Sequence, residues 1–306
     1  MSLKRHLGLI TMLAVVMLSV DYCAHAAVAT GASFLKVGAG ARAAAMGDAF
    51  SAVADDVTAL YWNPAGLIQL KQNQLTIGHV ESYEQVRHEY FGYCHPYKGG
   101  AFGFSAMYSW IGGIEGRLSA TPDSERTVPV WDTSPALSFA FNVSKGVSLG
   151  TTLKGIYQQL DDKTAYGGAA DVAMMFRIVK KTKFAIGIYN LGYETPFVTE
   201  EIAMPTTVRM ALAGTYYNNR LTVACDGMYG VNDQVITGGV GGELWLMKQV
   251  AVRAGYKYNS TITKPSLLQG FTTGVGLKLD KFAVDYAFIP SVETLATHRL
   301  SISTKF

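Results

Sequence analysis

The sequence predicts an all-β chain, fourteen antiparallel strands closed into a transmembrane barrel with a small N-terminal helical hatch in its lumen. Three observations predict it. Apolar residues alternate with small or polar ones at period two, with few exceptions, from residue 130 onward. Connections between the alternating segments are short and long in turn. Beyond the N-terminal leader no stretch reaches the roughly 18 consecutive apolar residues that a spanning helix needs, so only a closed sheet can satisfy its backbone inside a bilayer.

Composition fits this reading. Charged residues are 16 % and hydrophobic residues 49 % of the 306, while mean hydropathy is only +0.16. That is too wet for a helical membrane protein and poor in charge for a soluble enzyme. Gly (32) and Tyr (17) are abundant and Pro (9) is not, which suits long strands and tight turns.

Residues 1–26 read as a secretory signal peptide that is cleaved. Lys4 and Arg5 form its charged start, Leu7 to Val20 its apolar stretch, and Ala24-His25-Ala26 its small–x–small cleavage pattern. Tyr22 is too bulky for the lipobox that Cys23 would require. Loss of Lys4, Arg5 and Asp21 takes the net charge from +3 to +2, and so small a charge implies no nucleic-acid partner. Cys94 and Cys225 fall in separate strands and are expected as free thiols.

Residues 27–71 do not alternate and are expected to form the hatch. Asp55-Asp56 are placed to cap a short helix over Val57–Trp62, and Asn63-Pro64 ends it, because proline clashes with a continuing helix. Helices so short need a host, and the lumen of a fourteen-strand barrel is wider than its own side chains fill.

Residues 72–306 supply the barrel. The alternation places strands at 72–80, 87–96, 100–110, 131–143, 147–160, 165–178, 183–192, 205–217, 220–230, 235–246, 249–259, 268–279, 281–290 and 297–306. In the fifth, Val147, Leu149, Thr151 and Leu153 share one face; Ser148, Gly150, Thr152 and Lys154 share the other. A soluble sandwich alternates too, but its water face would be dense in Lys, Glu and Asp. Here one face is almost free of charge and the other is small with scattered ionic residues. Tyr157, Tyr217, Tyr229, Tyr258, Phe271 and Phe288 gather at strand ends, as an interfacial aromatic girdle would. Turns at Tyr97-Lys98-Gly99, Ser144-Lys145-Gly146, Asn218-Asn219, Met247-Lys248 and Asp280 alternate with connections at 111–130, 193–204, 260–267 and 291–296. The last strand closes on Phe306, a terminal aromatic of the kind read by the outer-membrane assembly machinery.

The hatch segment carries a resemblance. Gly31-Ala32-Ser33-Phe34-Leu35, Gly38-Ala39-Gly40-Ala41-Arg42, Ala45-Met46-Gly47-Asp48-Ala49-Phe50, Ala54-Asp55-Asp56 and Tyr61-Trp62-Asn63-Pro64-Ala65-Gly66-Leu67 look like the N-terminal block of the PorV/PorQ family, within the wider FadL-like group. The resemblance implies an integral protein of the outer membrane of a diderm bacterium. It also implies a hatch that moves as hydrophobic cargo passes, with Asn63, Pro64 and Ala65 at the matching positions. Phe50, Asp55, Asp56, Trp62, Asn63, Pro64, Ala65 and Gly66 are therefore the ligand-binding or hatch candidates. Each also has a plain structural reading as helix terminator, cap or tight packing site.

Among inward charges expected from the register, Arg209 and Arg253 are the candidates for a polar path or a carboxylate headgroup site, against the alternative that they pair within the lumen. Gly238-Gly239-Val240-Gly241-Gly242 lacks the spacing and following helix of a phosphate loop and reads as small lumenal residues. His79, His88, His95 and His298 show no metal spacing, and no cofactor is expected. Two functions stand open: a non-enzymatic channel for hydrophobic or amphipathic small molecules, or a PorV-like component of type IX secretion holding the C-terminal domains of secreted proteins. A lipid enzyme would need Ser, His and an acid clustered at the outer rim, and no such arrangement is seen. The partners implied are outer-membrane lipids, the assembly machinery at Phe306, and the cargo itself.

Overall fold

A computed structural model describes residues 30–82, 86–116, 126–262, 269–290 and 296–306. The expected signal peptide lies outside the described residues. Fourteen antiparallel strands form one closed barrel: β1 Gln74–Glu81, β2 Val86–Tyr97, β3 Gly100–Ile111, β6 Val130–Ser144, β7 Val147–Leu160, β8 Lys163–Val179, β9 Thr182–Glu194, β10 Thr207–Tyr216, β11 Leu221–Gly230, β12 Ile236–Trp245, β13 Val250–Asn259, β14 Phe271–Leu279, β15 Phe282–Ile289 and β16 Thr297–Lys305. The remaining two, β4 Glu115–Gly116 and β5 Arg126–Thr127, pair only with each other. They sit within the connection expected at 111–130, where two-residue strands leave no periodicity to read.

Closure joins the first strand to the last, with Gln74 opposite Lys305 and Glu81 opposite His298. The N–H of Phe306 donates to the Asn73 carbonyl at 3.0 Å, and its ring stacks on Tyr93. The strand ends joined by short turns are called the lower end below, and those bearing the longer loops the upper end. One upper connection departs from the long–short rhythm: β7 and β8 meet through Asp161-Asp162 alone, with Asp161 in the left-handed region (φ 56°).

The alternation sorts the faces as expected. Ser148, Gly150 and Thr152 of β7 point inward and are buried, while Leu153 and Leu137 stand exposed outside. The outer face carries an aromatic row at the upper end, Trp110, Tyr108, Trp131 and Tyr157, with successive ring centroids 5.2–6.0 Å apart. Cys94 and Cys225 are buried and free.

The core is the hatch. Residues 30–71 fold into four short helical pieces, Ser33–Lys36, Ala41–Ala44, Ala59–Trp62 and Pro64–Gln69, and most of these residues are buried. The helix expected over Val57–Trp62 starts later, at Ala59. One carboxylate oxygen of Asp56 accepts from the N–H and hydroxyl of Thr58 (2.9 and 2.5 Å), which holds the turn before the helix instead of capping it. Each piece is too short to persist alone, so burial against the wall supplies the stability that helix propagation does not.

The hatch leans on wall positions that lack side chains. A Cβ on Gly241 would lie 2.2 Å from the Met46 carbonyl oxygen, and one on Gly150 would lie 2.1 Å from the Ala65 nitrogen. Gly47 itself adopts φ 65°, and its backbone passes over Tyr256. The Gly238–Gly242 run is therefore wall against which the hatch packs, with Gly239 and Gly241 turned inward.

Candidate functional site

The hatch crosses the lumen and touches the wall in sequence order. Its start lies at the upper end, where the Gly31 N–H donates to Ala203 and Lys36 pairs with Asp233 at 2.6 Å. Ala41–Ala44 then packs on β14–β16, and the Ala41 N–H donates to the Ser301 hydroxyl. The Gly47 N–H donates to Thr272, and the Ser51 N–H to the Asp226 carboxylate at 2.8 Å. Finally Pro64–Gln69 packs on β6–β8 at the lower end. The polypeptide thus separates an upper cavity of about 570 Å³ from a lower one of about 280 Å³.

Ionic contacts fasten the hatch. Arg42 reaches Asp55 (2.6 Å) and Asp56 (2.9 Å) within the hatch and Glu243 on the wall (2.7 Å). Glu243 also holds Arg253, which pairs in turn with Asp285, both at 2.8 Å. Burial opposes the charge on Arg42, but Asp55 and Glu243 outweigh it and raise its pKa further above the ordinary arginine value, so it stays cationic. Asp48 pairs with Lys257 at 2.5 Å. Burial alone would raise the Asp48 pKa; Lys257 and Arg299 overcome that and hold it below 3.8.

The candidate residues divide by what they touch. Asn63 is fully buried, with its carbonyl accepting from the Ala65 N–H (3.0 Å) and its amide donating to the Ser51 carbonyl (2.8 Å). Pro64 opens the following helix at its first turn. Ala65 accepts from Ser148 on the wall at 3.0 Å. Gly66 approaches Ala54 so closely that a Cβ would lie 2.4 Å from its carbonyl oxygen. These four hold the hatch backbone and do not line the upper cavity. Phe50 is buried beneath the Arg42 guanidinium. Trp62 does line the upper cavity. Its indole N–H donates to Ala39 (2.8 Å), and its carbonyl accepts from the Tyr189 hydroxyl (2.9 Å).

The two arginines also part. Arg253 lies in the Glu243–Asp285 network. Arg209 lines the upper cavity, its guanidinium over three rings: Tyr189 of the wall (4.4 Å to the centroid), Tyr61 (5.2 Å) and Trp62 (5.5 Å) of the hatch. Tyr189 was not singled out by the sequence reading. Its signal is that a large aromatic follows Ala185 and Gly187 on the small, inward face of β9. Tyr61 stood in the motif block without a role; its hydroxyl donates to Leu35 at 3.0 Å.

A second apolar hollow of about 520 Å³ lies on the outer face, where Gly227 opposite Gly238 leaves a gap between Met210 and Tyr258. It faces away from the lumen and is not part of this site.

A family model described as Uncharacterised protein family (UPF0164) matches residues 23–175. Among solved structures, the toluene transporter TodX of Pseudomonas putida superimposes with a TM-score of 0.61 at 14 % identity, over 87 % of this chain and 96 % of that one. A FadL homologue of Pseudomonas aeruginosa superimposes at 0.54 and 12 % identity, over 92 % and 99 %. No curated protein sequence matches the chain. At these identities the likeness establishes a shared barrel fold.

Proposed function

The chain belongs to the uncharacterised protein family UPF0164, and from its architecture we propose a non-enzymatic outer-membrane channel for small hydrophobic or amphipathic molecules, closed by its hatch. The observation that carries the proposal is a closed barrel whose lumen is divided by residues 30–71 into two cavities. An open diffusion pore has no use for so complete a plug. A neighbour described as a toluene transporter supports the same reading. In this account the lower end faces the periplasm and Phe306 is the residue offered to the assembly machinery. Cargo enters the upper cavity, the hatch shifts, and the lower cavity receives it.

Placing the chain closer to PorV/PorQ than to other FadL-like barrels rests on the hatch block. That resemblance is also what favours a second reading, in which the barrel holds C-terminal domains of secreted proteins. The block residues that carry it are mostly buried inside the barrel, where a folded domain has no access, so the channel is the preferred reading. Calorimetric titration of the purified protein with toluene and with a long-chain alcohol tests it. Saturable binding is expected. Absence of saturable binding, together with crosslinks to secreted proteins in cells, would replace the channel with the second reading.

A further inference from the structure

The lower end of the barrel carries charge of one sign. Every one of its turns bears a cation: Lys98, Lys145, the Lys180-Lys181 pair, Arg220, Lys248 and Lys281. All are exposed. Lys71, just ahead of β1, adds another. Asp280 is the single carboxylate side chain in those turns. The upper end is different. Its connection 195–206 holds Glu200 and Glu201 and no Lys or Arg, and its cations Arg126 and Lys163 are paired with Asp161 and Asp162.

The positive charge continues into the lower mouth. Arg177 lines the lower cavity together with Lys145 and Lys183. Lys278 shares the inward face of β14 with Gly276, and Lys305 that of β16 with Ser301. The carboxylates on this side of the hatch are balanced. Asp55, Asp56, Glu243 and Asp285 are held by Arg42 and Arg253, and Lys183 and Lys305 lie in the field of Asp55 as well. Lys183 is further committed to the hatch, donating to the Val53 and Gln69 oxygens at 2.9 Å. Arg177, Lys278 and all but one of the turn cations are left without a counter-charge among the described residues.

We infer that the lower mouth is a docking face for an acidic segment of a soluble periplasmic protein, which takes the cargo as it leaves the lower cavity. The inference rests on the channel reading, which sets the lower end in the periplasm, and it names the partner at the exit. Crowded like charges repel one another; an acidic partner relieves that repulsion, and the complementary field steers it to the opening. Headgroups of the surrounding leaflet reach the turn cations from the outer circumference, but not Arg177 or Lys278, which face the lumen. The field is therefore centred on the opening, which a soluble segment can span. A hydrophobic molecule released there without a partner would have to enter water.

The test uses the full-length protein in nanodiscs of phosphatidylcholine, with fluorescein-labelled oligoglutamate as the acidic probe and fluorescence anisotropy as the readout. Saturable binding of one peptide per barrel is expected, weakening steeply as salt is raised. The pair Arg177→Gln, Lys278→Gln should weaken it about tenfold or more, and so should the triple change Lys145→Gln, Lys181→Gln, Lys281→Gln. Lys163→Gln, at the upper end, should leave it unchanged. In cells, p-benzoylphenylalanine in place of Lys248 should crosslink on illumination to a soluble protein through an acidic segment, and the Arg177→Gln, Lys278→Gln pair should abolish the product. Absence of saturable peptide binding overturns the inference, as does undiminished binding in the folded Arg177→Gln, Lys278→Gln protein. A crosslink that reaches only lipid, or that persists in that variant, also overturns it and makes the lower cations lipid anchors or bystanders. With toluene still binding saturably, each of these results leaves the channel reading standing.

Discussion

The hydroxyl of Tyr189, on the barrel wall, donates to the carbonyl of Trp62, in the hatch, across 2.9 Å, while the Tyr189 ring lies under Arg209. One side chain thus links the wall, the hatch and the upper cavity. Tyr189→Phe keeps the ring and removes the hydrogen bond, leaving a buried carbonyl unmet. A loss of about 1–2 kcal/mol in hatch docking is expected, read as faster hydrogen exchange at hatch amides while the barrel amides stay protected.

Adjacent glycines of β12 have opposite roles. Gly241 faces the hatch, where a Cβ would lie 2.2 Å from the Met46 carbonyl oxygen; Gly242 faces outward, and its Cβ would meet nothing nearer than 3.7 Å. Gly241→Ala is therefore expected to displace the hatch and raise ion conductance in planar bilayers, since the neighbouring atoms are backbone and cannot rotate aside. Gly242→Ala should leave conductance at its original value.

The Asp48–Lys257 pair predicts an acid limit. The folded pKa of Asp48 lies below 3.8, so its contribution to docking is fully present above 3.8 and disappears as the pH falls through the lowered folded value. Hatch protection measured by limited proteolysis should thus owe no change to this pair between neutrality and about pH 4. Asp48→Asn should weaken docking at neutral pH by about 1 kcal/mol, a modest figure because Lys257 is partly exposed.

The start of the hatch can be clamped. A Cβ built on Gly31 lies 3.7 Å from the Ile202 Cβ, within the range a disulfide spans. Its one close neighbour is the carboxylate oxygen of Glu194 at 2.7 Å, the end of a side chain that can turn away. The double variant Gly31→Cys, Ile202→Cys should crosslink on oxidation. Transport should then slow under oxidising conditions and recover with reductant.

The barrel was legible because side-chain alternation is a local property. Expected boundaries such as 147–160 and 220–230 fall on or within one residue of the observed β7 and β11. The small residues that mark the inner face are small because the hatch needs the space, so pattern and packing share one cause. The roles within the site were less legible. Asn63 and Pro64 stood out by motif, yet their work is on the hatch backbone. Arg209 and Arg253 look alike in sequence, each an arginine on a small face. What separates them is the residue across the ladder: Arg253 lies opposite Glu243, whereas Arg209 lies opposite Met228 and Gly187. Register between strands is set by the whole closed sheet and is not encoded beside either residue.

The central claim is that hydrophobic molecules cross the membrane through this hatch-closed barrel. The measurement that tests it most directly is the initial rate of radiolabelled toluene and 4-phenylbutyrate accumulation in cells with the chain, without it, and with it restored. The account predicts saturable uptake that is lost on deletion and regained on restoration. Equal rates in all three strains, with the folded barrel present in the outer membrane of the first and third, would contradict it.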